Sequence, residues 1–171
     1  MNSHLGFDAW ANEMDALDCK EQAQLLQAQG YFERALPLML KSVSMRENSH
    51  TLCLSLSELA ELYLDMLHFP EAESIASRMI KESWRYDTSQ QVRIAEEILE
   101  AIETDQESGI EHGDGVSLCG LKLRPELNNK AGIIRGKIRD KHRYCVQVGS
   151  ATFLVQRHNL KTISPGMKNR N

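Results

Sequence analysis

The chain has 171 residues, 42% of them hydrophobic and 26% charged, and a formal net charge of −4. That composition builds a hydrophobic core and excludes a disordered or fibrous polymer. No apolar run approaches the ~20 residues that span a bilayer, and the stretch Met1–Asp8 has neither the basic nor the apolar region of a secretory signal.

Residues 7–107 show apolar spacing of three and four, the helical period. Phe7, Trp10, Met14 and Leu17 form one stripe, and Leu25 and Leu26 carry the pattern up to Gly30, a helix stop. Asp18 and Glu21 have capping-box spacing, so a fresh helix start there is the alternative. A second helix is expected over about 32–46, with Ala35, Leu36, Met39, Leu40 and Val43 inward and Pro37 near its start, where a missing N–H costs least. A third spans about 51–67, with Leu52, Leu56, Leu59, Tyr63 and Met66 on its core side. Pro70 opens the fourth, followed by Glu71 and Glu73, which suit the positive end of the helix dipole. Its inward residues are Ala72, Ile75, Ala76, Met79 and Ile80. Asp87 with Gln90 caps a fifth, whose inward residues are Val92, Ala95, Ile98, Leu99 and Ile102. Helices joined by so few residues pack as antiparallel hairpins.

Two hairpins are alike. The run from Gly30 to Met39 aligns with that from Leu67 to Ala76, and the shared alanines, Ala35 and Ala72, stand 37 positions apart (72 − 35). A period in this range signals stacked repeats. Through Ala35-Leu-Pro-Leu, Ser42-Val-Ser-Met-Arg-Glu, Leu56-Ser-Glu-Leu-Ala-Glu-Leu-Tyr and Phe69-Pro-Glu-Ala-Glu, the stretch from Gly30 to Ser83 resembles tetratricopeptide repeats of the kinesin-light-chain type. The spacing is shorter than that subgroup's, and two repeats are recognisable. The resemblance implies a groove for an extended peptide, lined by the first helix of each hairpin. Its groove positions fall on Lys20, Gln24 and Gln27 and on Ser57, Glu58, Glu61 and Asp65. The acidic second set repels a terminal carboxylate, so a basic or neutral peptide suits the wall better. A solvated charged face is the plain alternative.

Residues 108–115 contain three glycines and read as a linker. Short alternating strands follow over about 116–122, 132–139, 143–148 and 152–156, with a loop at 125–129 and tight turns at 140–142 and 149–151. Ile134 and Ile138 are expected on one face with Arg135, Lys137 and Arg139 on the other, and Tyr144, Val146 and Val148 opposite Arg143, Cys145 and Gln147. The charge is split: residues 1–116 carry 8 Lys+Arg and 22 Asp+Glu, residues 117–171 carry 12 and 2, giving −14 and +10. Such a basic module seeks an anion or docks on its acidic neighbour. Gly120-Leu121, Arg124-Pro-Glu-Leu-Asn128, Gly132, Gly136, Arg143-Tyr144, Val146, Val155 and Asn159-Leu160 resemble a small domain appended to eukaryotic ankyrin-repeat and zinc-finger proteins. Asn129 stands where that family usually has glycine, and asparagine also adopts the left-handed conformation. The module is weakly similar to SH3-like barrels of RNA- and ribosome-associated proteins. An aromatic groove for proline-rich peptides is not present, since only Tyr144 and Phe153 are available.

The chain lacks GxxxxGK before Ser or Thr, GxGxxG, HExxH and GxSxG. Its six histidines are scattered, and no spacing among His142, Cys145 and Cys119 supports a zinc site. Cys145 lies in a basic stretch that lowers a thiol pKa, but without an identified base it reads as inert. The four cysteines are far apart and read as reduced thiols, which places the chain in the cytoplasm or nucleus. The expectation is an α+β chain: helical hairpins over 7–107 as a short tetratricopeptide-like solenoid, a linker over 108–115, an SH3-like β-barrel over 116–163 and a disordered tail over 164–171. Its expected role is a non-enzymatic adaptor without cofactor or metal, working through protein partners. The alternative is a nucleic-acid- or ribosome-associated factor that contacts phosphate through Arg124, Lys130, Arg135, Lys137, Arg139, Lys141 and Arg143. The sequence leaves partner identity and oligomeric state open.

Overall fold

The structure, a computed structural model, describes residues 3–86 and 89–164, and within them the side chains of residues 11–83 and 89–163. It is α+β: among the described residues, five helices precede one five-stranded antiparallel sheet. The chain divides into two compact units. One holds the chain up to Leu64 together with Phe69–Ile102; the other gathers Asp65–His68 and the chain from Glu103 onward. Of the tail expected over 164–171, Ser164 instead closes the last strand, and residues 165–171 lie outside the described residues, as does the cap at Asp87. None of the described helices is long and apolar enough to cross a membrane.

The helices are α1 (Ser3–Ala28), α2 (Phe32–Met45), α3 (Leu52–Asp65), α4 (Phe69–Tyr86) and α5 (Ser89–Glu107). α1 runs unbroken through Asp18 and Glu21, so their spacing marks no helix start. It ends at Gly30, left-handed with φ 81°, where Tyr31 N–H donates to the Leu26 carbonyl (2.9 Å) and Gly30 N–H to that of Gln27 (2.8 Å). This is the Schellman arrangement, which needs a residue free to take positive φ. The stripe of large side chains expected on α1 is not its core side. Met14 is 42% and Leu25 65% exposed, while Ala16, Cys19 and Ala23 are buried; Phe7 and Trp10 lie outside the described side chains. α1 packs along α2, and small residues permit that close approach better than large ones.

α2 buries Phe32, Ala35, Met39, Ser42 and Val43. Leu40, expected inward, is exposed, and Leu36 is half-buried. Pro37 sits one turn deeper than expected, inside the helix, where it removes a ladder bond; the helix continues because both Glu33 and Pro37 are exposed to water. α3 is buried over more than half its circumference, by Leu52, Cys53, Leu56, Leu59, Ala60, Leu62 and Leu64, and leaves the face of Leu54 and Glu61 exposed. α4 carries Pro70 in its first turn and buries Ala72, Ala76 and Met79; α5 buries Ala95, Ile98 and Ile102. The internal similarity extends to the backbone. Gly30 (φ 81°) and Leu67 (φ 59°) are both left-handed and stand 37 positions apart (67 − 30), as do Ala35 and Ala72, which are both fully buried.

The second unit contains β1 (Gly115–Leu118), β2 (Ala131–Ile138), β3 (Arg143–Val148), β4 (Ala151–Gln156) and β5 (Leu160–Ser164), in sheet order β4-β3-β2-β1-β5. Short 3-10 turns occupy Pro125–Leu127, Arg139–Lys141 and Arg157–Asn159. Residues 108–115, expected as a linker, are bonded into this unit. Ile110 and Asp114 are buried, Gly113 N–H donates to the Ile134 carbonyl (2.8 Å), and Ile134 N–H donates to that of Asp114 (2.9 Å). The expected faces of β2 hold only halfway. Ile134 pairs with Val146, but a bulge follows, and then Gly136 pairs with Cys145, Lys137 with Tyr144 and Ile138 with Arg143. One extra residue flips the alternation, so Ile138 joins the face of Cys145 rather than that of Ile134. Cys145, expected outside, is fully buried.

Candidate functional site

Of the groove residues implied by the repeat resemblance, Lys20 and Gln24 meet one carboxylate, Glu58. On α3, Glu58 receives Lys20 Nζ from α1 at 3.2 Å and Gln24 Nε2 at 3.3 Å, all on its Oε1. Its other oxygen, Oε2, is buried and has no hydrogen-bond partner. Burial pushes the Glu58 pKa up, and the charges of Lys20 and Arg46 offset this in part. Leu54, Glu58 and Glu61 share a face at helical spacing; Leu54 and Glu61 on it are exposed. Gln27 is half-buried. Ser57 is turned away, since its hydroxyl donates to the Leu54 carbonyl at 2.7 Å. Asp65 belongs to the other unit, buried beside Arg139 at 3.3 Å.

The wall is held in place by Arg46, which in the sequence stands out only as part of the repeat match Ser42-Val-Ser-Met-Arg-Glu. Its side chain is 3% exposed. The guanidinium donates to Ser42 Oγ (3.3 Å), Ser55 Oγ (2.8 Å) and Glu13 Oε1 (2.9 Å), so one buried cation ties α1 to α2 and α3. Thr51 Oγ1 also donates to both Glu13 oxygens, at 3.2 and 3.1 Å. Burial alone raises the Glu13 pKa, but the bonds from Arg46 and Thr51 outweigh it and hold it below the usual carboxylate range.

These two shifts have opposite consequences for pH. A raised folded-state pKa contributes stability that is full below the unfolded value and is lost as pH rises through the folded value. A lowered one contributes stability above the unfolded value that is lost as pH falls. Replacing Glu58 with Gln therefore gains stability relative to wild type on going from about pH 4 to pH 7, and Glu13→Gln loses it over the same interval. Thermal melts of both variants at the two pH values check this; shifts of the same sign contradict it.

The seven basic residues do not form one free surface. Lys137 Nζ pairs with Asp105 at 2.8 Å, and Arg139 pairs with Asp105 and with Asp65. Both aspartates are buried. Lys137 also lies over the Tyr144 ring, 5.8 Å from its centroid. Arg135 donates to Gln147 Oε1 (2.7 Å); Arg124 pairs with Glu126 (3.0 Å) and lies over Phe153. Lys130, Lys141 and Arg143 are exposed. Acids outside the basic segment thus neutralise its two central cations, which a count along the sequence does not reveal.

The polar residues that carry the C-terminal resemblance serve the backbone. Asn128 accepts from Leu121 N–H (2.8 Å) and donates to its carbonyl (3.1 Å); Asn159 donates to the Cys119 carbonyl (2.8 Å). Asn129 is left-handed, with φ 65°. Gly132 leaves no room for a side chain, since a Cβ there meets Val146 Cγ1 at 2.5 Å. The lowered thiol pKa suggested for Cys145 does not arise: burial, with the charge of Asp65, pushes it up to about 12. Among the described residues no cluster of three or more His, Cys, Asp or Glu is placed to hold a metal. No family model, curated protein or solved structure matches this chain.

Proposed function

We propose that the chain is a non-enzymatic adaptor of the cytoplasm. In this reading the helices form a short tetratricopeptide-like solenoid that takes an extended basic or neutral peptide, joined to an SH3-like barrel. The observation that carries it is Glu58: a half-buried carboxylate with one oxygen occupied by Lys20 and Gln24 and the other, buried, without a donor. An unmet buried acceptor is costly, and a rotation of the Glu58 side chain that brings Oε2 to the surface lets a peptide N–H, ammonium or guanidinium supply what is missing. Exposed Leu54 on the same face offers apolar contact, and exposed Glu61 favours a basic neighbour. Lys20 is already engaged by Glu58, which argues against capture of a terminal carboxylate.

The matching turns and alanines of the two hairpins support the solenoid reading. The return of β5 beside β1, after a 3-10 turn that follows β4, supports the SH3-like reading. The test is selection of peptides from a random library by the full chain, with and without nuclease. Enrichment of basic or neutral sequences, lost with Glu58→Lys, is the expected result. Nuclease-sensitive capture that depends on Lys130, Lys141 and Arg143 would shift the function to nucleic acid and overturn the proposal.

A further inference from the structure

α1 has a second exposed face, away from the peptide wall. At 3.6 residues per turn, Leu25 lies about 140° around the helix from Lys20. Leu25 is 65% exposed, and between it and α2 runs a cleft of about 500 Å³ lined by Gln22, Leu25, Leu26, Arg34, Pro37 and Leu38. Met14, on the same stripe of α1, is also exposed. Two large apolar side chains left in water along one stripe, with a shallow open cleft beside them, mark an interaction surface.

The charges bordering this face say what fits it. The α1 side carries Asp18 and Glu21, and the α2 side carries Arg34 and Lys41, all exposed and none in an ion pair among the described residues. One rim is acidic and the other, with Arg34 and Lys41 against Glu33, is net basic, so the face complements itself. A two-fold axis parallel to the hairpin places α1 of one copy over α2 of the other, and does so twice. Because α1 and α2 are antiparallel neighbours, Leu25 then enters the partner copy's cleft while Asp18 and Glu21 meet Arg34 and Lys41.

We infer that the outer face of the α1–α2 hairpin is the contact through which two copies of this chain form a symmetric dimer. The contact is independent of the peptide wall, since it uses the opposite side of α1. Sedimentation of the full chain across the micromolar range tests it. Wild type passes from monomer to dimer as concentration rises. Leu25→Asp raises the dissociation constant at least about tenfold, with an unchanged melting temperature, because the position is exposed. Asp18→Lys with Glu21→Lys, and Arg34→Glu with Lys41→Glu, are each monomeric alone. Mixed together they form heterodimers, in which both rims again meet opposite charge. A wild type that stays monomeric, a Leu25→Asp chain that dimerises like wild type, or a mixture that fails to associate overturns the inference. Peptide capture by Leu25→Asp is unaffected, which separates this result from failure of the adaptor reading.

Discussion

Replacing Asp105 with Ala lowers stability by about 3–5 kcal/mol, because it leaves Lys137 and Arg139 half-buried with one carboxylate instead of two. Asp105 is 5% exposed, so water does not substitute for it. Asp105→Asn keeps the shape and one acceptor and loses less. Adding Lys137→Ala and Arg139→Ala to Asp105→Ala recovers part of the loss, since the uncompensated cations are then gone. Denaturant titration of the four chains, read at β-sheet wavelengths, measures these differences. A loss below about 1 kcal/mol, the scale of a solvated pair, would show that the network is exposed in solution.

Arg46→Ala costs about 3 kcal/mol. It removes a buried side chain and strands the hydroxyls of Ser42 and Ser55, both fully buried, each an unmet group of about 1–3 kcal/mol at most. Glu13 is more exposed and contributes little to the loss. Arg46→Met restores the volume without the bonds and recovers only the packing part. Because Arg46 ties α1 to α3, Arg46→Ala also loosens the wall around Glu58, and peptide affinity falls with stability. Unchanged affinity in a destabilised Arg46→Ala chain would separate the two and remove Arg46 from the account of the site.

Much of the fold is legible in the residues. Helical spacing marks α2 and α3 to within a residue or two of their observed ends and the start of α4 to within one, and alternation marks β2, β3 and β4. Two kinds of information were missing. The first is packing depth. Apolar size singled out Met14 and Leu25 on α1, whereas close approach to α2 selects Ala16, Cys19 and Ala23. The second is long-range pairing. β5 (Leu160–Ser164) has a weak alternating pattern and exists because Leu160 and Thr162 pair with Leu118 and Val116. The β2 bulge, which moves Ile138 to the face of Cys145, depends on the register of a partner strand. The site divides the same way. The repeat resemblance implies a shared wall for Lys20, Gln24 and Glu58, and these three are in contact. Neither the neutralisation of Lys137 and Arg139 by Asp65 and Asp105 nor the buried position of Arg46 has a local signature.

Chemical-shift mapping of a selected peptide on the isotopically labelled full chain tests the adaptor reading most directly. The account predicts perturbations at Lys20, Gln24, Leu54, Glu58 and Glu61, with affinity falling at least about tenfold in Glu58→Lys. Perturbations confined to the outer α1–α2 face or to the strands, or binding that survives Glu58→Lys undiminished, would contradict it.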